Sequence, residues 1–518
     1  MNLYFDNSCI CKYTRLSFVL VVLFCLTTNS NAQASLSAPS NLGGIFYISP
    51  SFSINETWTN NLALENGNKK SGWITEVSPG ISIRSGSGKI KGYLNYSLNI
   101  LNRSGDQGKN SIQNSLNSSV NVEAIDRHGF IDISGAISQQ TISAFSIQNN
   151  NLNNINSNKT EISTYSLAPY YRGRLSNYLD YEARYSLTTT RAKSASNFSS
   201  DTKASSISLN GDDFFGRLSW TLGLNRQIVS RVNTPDTKVD SLRVSLNYPI
   251  VNNLMVSVSG GREFQNYTST AKTGSWTSGM GLNWSVSEMT KISANLENNP
   301  LGKMHSLNFE HRTPRTSWRV SDVRSVSMSN GTKSSSLGAN YDLLFNQFSS
   351  IEPDPIKRAQ LVNNYLQTYG INPNSTAVNG YLTSGTSLQR AQNISFALLG
   401  LRDTITFTAS RSTGKSVSTS SFVTDDFSNA SSIQQSGLSV GYTHRLTSDT
   451  TISNQISIQK TNGQFDSQKS EVRSTSISAS TRLGIKTYLT LSARRSVSSS
   501  GSFPYSEASI TGNLTVQF

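Results

Sequence analysis

The sequence predicts an all-β protein, a transmembrane antiparallel β-barrel of the outer-membrane type, with about 22 to 24 strands and one short amphipathic helical insert. Three observations predict it: strand-length segments in which apolar and polar residues alternate, connections that are short and long in turn, and a polar composition. Only 36% of the 518 residues are apolar. A closed sheet with lipid outside and water inside needs one apolar face per strand, which permits this polarity.

The first 34 residues are predicted to be a secretory signal peptide. Lys12 and Arg15 precede an apolar run at 18–26, and Ala32-Gln33-Ala34 offers an A-x-A cleavage site. The apolar run is too short for a membrane-spanning helix. Because Cys9, Cys11 and Cys25 all lie in this segment, residues 35–518, the predicted barrel, have no disulfide and no thiolate ligand.

The strands are recognised by the alternation of apolar and polar residues with a period of two. In "KIKGYLNYSLNIL" one face carries Ile90, Leu94, Tyr96, Leu98 and Ile100, and the other carries Lys89, Lys91, Asn95, Ser97 and Asn99. Similar segments of about ten residues, the length of a tilted membrane strand, recur along the chain. The last strand ends on Phe518, which resembles the signal that outer-membrane barrels present to their assembly machinery. The alternative is a soluble series of stacked β-sandwiches, whose polar faces would be solvated.

The connections alternate between short turns and long polar loops, as in barrels with periplasmic turns and extracellular loops. The loop at 143–160 is rich in Asn and is expected to be a solvated outer loop. The alternation slips between about 305 and 390, so two strand counts stay open. Either the count is 22 with the helical insert outside, or "NGYLTSGTSL" (379–388) is an extra strand, giving 24 with the insert periplasmic.

The helical insert is predicted at 351–377, at the barrel mouth or in the lumen. Within "EPDPIKRAQLVNNYLQTYG" (352–370), Asp354 and Pro355 read as the N-cap and first helical position, and Gly370 as the stop. The residues that would plug or gate the lumen, or only pack across the mouth, are Asp354, Pro355, Arg358, Leu361, Tyr365 and Tyr369.

The same region carries a family resemblance. The segments "ISPSFSINETWTNNLAL" (48–64), "ITEVSPGISI" (74–83) and, above all, 341–412 with its "YDLLF", "EPDPIKR" and "LGLRD" motifs resemble the outer-membrane β-barrel family associated with the PEP-CTERM/exosortase system. That family is encoded near exopolysaccharide genes in proteobacteria. At Thr59-Asn60-Asn61 the chain departs from the family, which has an Asp in this turn. The resemblance implies an outer-membrane location and a link to export of exopolysaccharide or sorted proteins.

The charge pattern adds a hypothesis about the lumen. The chain carries a formal charge of +14, and its basic residues are scattered, which does not indicate nucleic-acid binding. Five of them are assigned to the polar, lumen-facing side of strands: Lys89, Lys91, Arg184, Arg217 and Arg243. They would either attract anionic solutes or acidic polysaccharide, or simply pair with carboxylates such as Asp180 and Glu182.

No pattern indicates catalysis or a cofactor. His128 and His444 are expected in or near turns, and His305 and His311 are too far apart on one strand to share a metal ion. Asp212-Asp213 and Asp425-Asp426 lack the spacing of a calcium loop, and the second pair is expected at a solvated loop tip. No metal site is therefore predicted.

The sequence thus favours a non-enzymatic outer-membrane channel or scaffold for exopolysaccharide or sorted-protein export. The expected partners are outer-membrane lipid, the barrel assembly machinery and an anionic exopolysaccharide. Two alternatives stay open: a general diffusion porin for small anionic solutes, and a structural barrel that binds surface polymer without a pore.

Overall fold

The computed structural model describes most of the predicted barrel: residues 41–42, 46–86, 88–104, 110–149, 154–176, 178–211, 217–232, 234–267, 271–328, 341, 344–345, 348, 358, 362, 380–417 and 425–518. The predicted signal peptide, residues 1–34, lies outside them. Among the described residues, no helix combines the length and the apolar character needed to span a membrane.

Twenty-two antiparallel strands form one closed sheet, which confirms the predicted β-barrel. A two-residue strand, β1 (Asn41–Leu42), pairs with the start of β2 outside the ring. The barrel strands are β2 (Phe46–Thr59), β3 (Gly72–Ser85), β4 (Ile90–Arg103), β5 (Ser111–Ile125), β6 (Gly129–Thr141), β7 (Lys159–Ser176), β8 (Leu179–Ala192), β9 (Ser200–Gly211), β10 (Ser219–Arg231), β11 (Thr234–Val251), β12 (Leu254–Gln265), β13 (Thr273–Ser287), β14 (Thr290–Asn299), β15 (Gly302–Arg312), β16 (Thr316–Ser327), β17 (Ser387–Leu399), β18 (Asp403–Ser416), β19 (Ser432–Arg445), β20 (Thr450–Asn462), β21 (Ser470–Gly484), β22 (Thr487–Ser500) and β23 (Tyr505–Gln517).

The ring closes between the first and last barrel strands. β2 pairs with β23 from Ser51 opposite Gln517 to Thr59 opposite Ser509. Each barrel strand otherwise pairs with its neighbours in sequence, so the sheet has no free edge in the membrane. Short 3-10 turns lie in the connections at Ser196–Phe198, Asp426–Ser428 and Asp466–Gln468. Phe518, the predicted assembly signal, follows β23 and is half exposed.

The apolar residues of each strand form the outer surface of the barrel. Trp276 is 77% exposed, Met280 64% and Ile207 48%, which a soluble protein would not tolerate over so many strands. Cross-strand partners share a face, so Leu224 opposite Ile207 and Leu242 continues this surface from strand to strand. The outer face therefore lies against lipid, and the chain is an outer-membrane β-barrel.

The connection lengths orient the barrel and settle the strand count. Every connection longer than seven residues lies at one end, at 60–71, 142–158, 328–386 and 417–431. That end is extracellular, because barrels of this type have short periplasmic turns. Ser327 pairs with Ser387 across the longest connection, so it leaves and rejoins the barrel at the outer end.

Of the two open strand counts, 22 is correct and 24 is wrong, and the connection that contains the predicted insert joins its strands at the outer end. The structure places no strand at 380–386, and only the last two residues of "NGYLTSGTSL" enter β17. The apolar residues of this segment, Tyr381 among them, are buried against other loops, so the segment is not a membrane strand.

Candidate functional site at the outer mouth

The connection between β6 and β7 folds over the barrel mouth. We call its described parts, 142–149 and 154–158, the crossing loop. Asn158 organises it: Ile142 N–H donates to the Asn158 carbonyl at 3.0 Å, Ser143 N–H to Asn158 Oδ1 at 2.8 Å, and Asn158 Nδ2 to the Ser143 carbonyl at 2.9 Å. Asn154 and Asn158 are 3% and 5% exposed. The prediction of a solvated outer loop is therefore wrong here, because the amide side chains bond the loop to itself and to the barrel.

The first anchor of the crossing loop is Asp426, in the connection between β18 and β19. Ser143 Oγ donates to Asp426 Oδ1 at 2.7 Å, and Ala144 N–H donates to Asp426 Oδ2 at 2.6 Å. Ten strands, β8 to β17, separate this connection from the β6–β7 connection on one side, and β20 to β23 with β2 to β5 separate them on the other. Contact between the two connections therefore requires the loop to cross the mouth.

The second anchor is Glu507 on the lumen face of β23. It is 2% exposed and accepts hydrogen bonds from Asn154 Nδ2 at 2.7 Å, Thr59 Oγ1 at 3.1 Å and Arg494 Nη2 at 3.3 Å. Beside it, Tyr505 Oη donates to the Gln148 carbonyl at 2.6 Å. A buried carboxylate is stable only with such partners, so Glu507 joins the loop firmly to the wall.

Apolar contacts secure the loop at three further points. Phe145 packs on a buried cluster of Ala144, Tyr381, Ala430 and Ile433. Ile155 packs against Leu62, Ile74 and Leu101, and Ile142 against Ile162, Phe198 and Leu382. Two backbone hydrogen bonds accompany them, from Ile155 N–H to the Leu62 carbonyl and from Leu382 N–H to the Ile142 carbonyl, both at 3.2 Å. The mouth is thus bridged by a packed, hydrogen-bonded layer.

The electrostatics of the Asp426 anchor reflect its burial. Burial raises the pKa of the Asp426 carboxyl above its ordinary value, and neighbouring Asp425 adds to this, while the bonds from Ser143 and Ala144 oppose it. Burial also raises the pKa of Tyr381, next to both aspartates. Asp425 itself accepts from Ser384 N–H at 2.7 Å and Phe427 N–H at 2.9 Å. Asp425-Asp426 is therefore an anchor, and the prediction of a solvated loop tip is wrong.

The lumen face of the barrel has a covered wall and an open wall. On β17–β20, the covered wall, the inward side chains are largely buried, including Asn393, Ser395, Ala397, Thr404, Thr406, Thr408, Gln435, Ser439, Thr443, Thr451, Ser457, Gln459 and Thr461. On β11–β13, the open wall, the buried inward residues are those near the outer rim, Thr237, Gln265 and Thr277.

A buried apolar cluster lies near the covered wall. Leu344, Phe348 and Val362 pack together, with Leu399 at the periplasmic end of β17 against them. Arg358 and Val362 are helical, and the Arg358 guanidinium lies 4.7 Å from the centre of the Phe345 ring. Of the predicted insert residues, Arg358 is thus described. The others, Asp354, Pro355, Leu361, Tyr365 and Tyr369, lie outside the described residues.

The five predicted lumen cations fall into different places. Arg184 lies 2.7 Å from Asp132 and 3.2 Å from Glu182, and Arg243 pairs with Glu297. Lys89 lies in the turn before β4, paired with Asp126 at 2.7 Å, and Arg217 precedes β10. The prediction that both lie on strands is therefore wrong. Lys91 lies on β4. The predicted alternative of pairing with neighbouring carboxylates applies to three of the five.

The histidines are held by neighbours on the barrel wall. His305 Nε2 lies 3.0 Å from Asp322, His444 Nδ1 2.7 Å from Asp403, and His311 Nδ1 2.8 Å from Thr290 Oγ1. Over the described ranges, no group of three His, Cys, Asp or Glu side chains is placed to hold a metal ion. Asp212-Asp213 lies outside those ranges.

The sequence did not identify Glu507, Arg494 and Asn154 as anchoring residues. Glu507 sits in the strand pattern "YSEASITGNLTVQF" as one more polar inward residue. No local signal separates it from Asn513 or Thr515 on the same face, because its partners Thr59 and Asn154 come from distant parts of the chain.

Comparison with known proteins gives structural similarities only. No family model matches the chain, and no curated protein matches it. The FrpB iron transporter from Neisseria meningitidis is similar over 91% of this chain and 81% of its own, with 10% identity and a TM-score of 0.49. The siderophore receptor PirA from Acinetobacter baumannii is similar over 90% of this chain and 80% of its own, with 9% identity and a TM-score of 0.49. The siderophore receptor PirA from Pseudomonas aeruginosa is similar over 91% of this chain and 80% of its own, with 10% identity and a TM-score of 0.43. At these identities and TM-scores the similarity carries no inference about ligand or activity.

Proposed function

We propose that this protein is a non-enzymatic outer-membrane conduit whose extracellular mouth is closed at rest by the crossing loop. The observation that carries the proposal is the pair of hydrogen bonds from Ser143 and Ala144 to Asp426, made between opposite sides of the ring. A barrel of 22 strands is wide enough for an open lumen, and plugged lumens are usual at this size. Release of the loop would open the mouth.

We infer further that the cargo is an exported polymer, an exopolysaccharide or a sorted protein of the PEP-CTERM/exosortase system. The resemblance of 341–412 supports the link to that system. The inward face of the open wall also supports it, because hydroxyl and amide side chains such as Ser245 and Asn247 on β11 can exchange hydrogen bonds with sugar hydroxyls as a chain moves past.

The insert between β16 and β17 is proposed to pack inside the lumen. Both strands meet the insert at the outer end, yet Leu344, Phe348 and Val362 contact Leu399 at the periplasmic end of β17. A segment that starts outside and reaches this residue from the inward face would run down the lumen beside the covered wall, as the sequence hypothesis of a plug expects.

Of the alternatives, the structural barrel without a pore is favoured by the buried inward face of β17–β20. The porin for small anions depends on unpaired lumen cations, and Arg184 and Arg243 both face carboxylates at ion-pair distance. Conductance separates all three, because a porin conducts at rest, a conduit conducts when the mouth is released, and a scaffold conducts in neither state.

The decisive experiment locks and releases the crossing loop. Ser143→Cys with Asp426→Cys places two thiols where Oγ and Oδ1 now lie 2.7 Å apart. We expect the oxidised variant to be silent in a planar bilayer and the reduced variant, which lacks the Asp426 acceptor, to show long-lived conductance. The wild-type barrel should stay closed in either redox state.

The matched control is Thr189→Cys with Asp201→Cys, whose oxygens are 2.9 Å apart but which join adjacent strands β8 and β9. Redox cycling of that pair should leave conductance unchanged. A reduced Ser143–Asp426 variant that remains silent would contradict the conduit and favour the scaffold. Deletion of the gene tests the cargo: secreted polysaccharide should fall while small-solute uptake is unchanged.

A further inference from the structure

A cluster of basic side chains lies on the lipid-facing surface near the outer end of β9–β13. We call it the basic groove. Its residues are Lys203, Arg226, Lys238, Arg262 and Lys272. Register fixes their face: Arg226 is opposite Ser205 and Asp240, and Arg262 is opposite Leu242 and Trp276. They therefore share the outer surface with Leu224, Ile207 and Trp276 rather than lining the lumen.

The groove sits where the apolar band ends. From its periplasmic end, β11 presents Ile250, Tyr248, Leu246, Val244 and Leu242 outward before it reaches Asp240 and Lys238. At about 3.4 Å per residue and with the usual tilt, five such positions span most of an apolar band roughly 25 Å tall. The cations thus lie at the depth of the outer headgroups.

The side chains form an open groove of about 420 Å³. Its outward lining combines charge with apolar surface: Arg226, Asp240 and Arg262 above, Ile207, Leu224 and Leu242 below. The Arg262 guanidinium is held over the rings of Phe264 and Trp276, 4.9 and 5.6 Å from their centres. The side chain of Arg226 is 61% exposed, so it can reach a ligand.

Positive charge exceeds negative charge in the groove. Asp240 is shared, at 3.6 Å from Arg226 Nε and in contact with Lys272 Nζ. Asp236 is the other carboxylate on the outward face of β11. Asp201 on the outward face of β9 interacts with Lys203 and is paired with Arg191 at 2.8 Å. Three carboxylates against six cations leave a net positive surface that faces lipid, which is costly unless an anion completes it.

Outward cations also lie near the outer end of other strands, but there they are paired: Arg390 with Asp322, and Lys460 and Arg473 with Glu471. Elsewhere at the outer boundary, the outward positions on β2 and β7 carry carboxylates, Glu56 and Glu161. At the periplasmic boundary of the same wall, the outward residues are aromatic: Trp220, Tyr248 and Trp284. Aromatic residues suit either membrane interface, whereas a patch of Lys and Arg suits an anionic headgroup.

We propose that the basic groove binds a phosphorylated lipid headgroup of the outer leaflet. Arginine guanidinium groups bind phosphate oxygens in a bidentate manner, and the lysines add point charges. The apolar wall of Ile207, Leu224 and Leu242 directly below would take the acyl chains, which a free phosphate ion lacks. The inference is independent of the proposed conduit function.

The test titrates the detergent-solubilised barrel with a fluorescent phosphatidic acid in mixed micelles. Lys203→Gln with Arg226→Gln and Arg262→Gln should weaken binding by about fivefold per residue, on the order of a hundredfold together. The matched control is Lys460→Gln with Arg473→Gln, also basic and outward near the outer end, but paired with Glu471 at 3.1 and 2.5 Å. The control should bind like wild type.

Three outcomes would overturn the proposal: the triple variant binds as tightly as wild type, the control loses affinity equally, or excess inorganic phosphate displaces the lipid completely. The last result would indicate a site for free phosphate. Phosphatidylcholine with the same acyl chains should bind weakly to all variants. Mobility of the folded barrel in cold detergent electrophoresis verifies that each variant is folded.

Discussion

The covered wall, β17–β20, and the open wall, β11–β13, have the same strand pattern and a different lumen face. Ser395 on β17 is 2% exposed, whereas Ser245, inward on β11, is only half-buried. The small side chains of the covered wall let other parts of the chain approach closely, and the wall loses contact with water. The two walls show that an inward polar residue becomes either pore lining or packing surface, depending on what lies opposite.

The ion pairs of the lumen show the same contrast. Glu507 on β23, where the crossing loop is anchored, binds Arg494 with side chains 1% and 19% exposed. Glu297 binds Arg243 beside the open wall, with side chains 28% and 38% exposed. Charges are screened where water reaches them, so the first pair should matter far more to stability than the second.

The largest expected effect tests this pair. Glu507→Ala leaves the partly buried Arg494 without its carboxylate and Thr59 and Asn154 without their acceptor, and should lower the free energy of unfolding by about 3–5 kcal/mol. Glu297→Ala should cost about 1 kcal/mol or less. Urea unfolding followed by tryptophan fluorescence measures both. Equal losses would remove the distinction between a covered and a hydrated ion pair. Glu507→Gln keeps an acceptor, so its loss should fall between those of Glu507→Ala and Glu297→Ala.

A smaller effect is expected from a size change on each wall. Ser395→Leu inserts a large side chain into a packed site and should destabilise the barrel by about 1–3 kcal/mol. Ser245→Leu on the open wall has room toward the lumen and should change the unfolding free energy little. The same urea titrations compare the two variants. A tolerated Ser395→Leu would show that the covered wall is loosely packed.

The crossing loop should respond to pH through Asp426. Its pKa is raised in the closed state, mainly by burial, so the closed state binds more protons than the released one above the ordinary value of 3.8. Closure is therefore strongest at low pH and weakens as pH rises through the raised pKa. Protease cleavage of the loop between pH 4 and 7 measures this. Asp426→Asn should abolish the dependence, and cleavage that slows as pH rises would contradict it.

The smallest effect concerns ion selectivity. In the reduced Ser143→Cys and Asp426→Cys variant, removing a neutralised pair with Arg243→Gln and Glu297→Gln should leave anion selectivity nearly unchanged. Lys91→Gln, which removes a cation with no carboxylate in exchange, should lower it slightly. Reversal potentials in a salt gradient give the comparison. A larger shift from the paired residues would show that the Arg243 charge is felt in the lumen.

Most of the fold could be predicted from the sequence, and most of the site could not. Alternation placed the outward residues of β4 correctly, and connection lengths oriented the barrel, because both are local properties of one strand or one turn. Asp426 was predicted at a solvated tip and Asn158 in a solvated loop, because the residues next to each in sequence do not indicate which distant segments pack against it. Arg217 and Lys89 were placed on strands, one or two residues beyond the true strand ends.

Local sequence patterns are sufficient to predict the closed sheet, the face of each strand that meets lipid, and the end that carries the long loops. These features follow from the alternation of apolar and polar residues and from turn length, both of which are local properties of the sequence. The folded structure alone shows that Ser143 meets Asp426, that Asn154 meets Glu507, and that Arg226 and Arg262 line one groove on the lipid-facing wall. Closure of the ring brings these residues together across hundreds of positions, and no local pattern encodes a contact whose partner lies on the far side of a barrel.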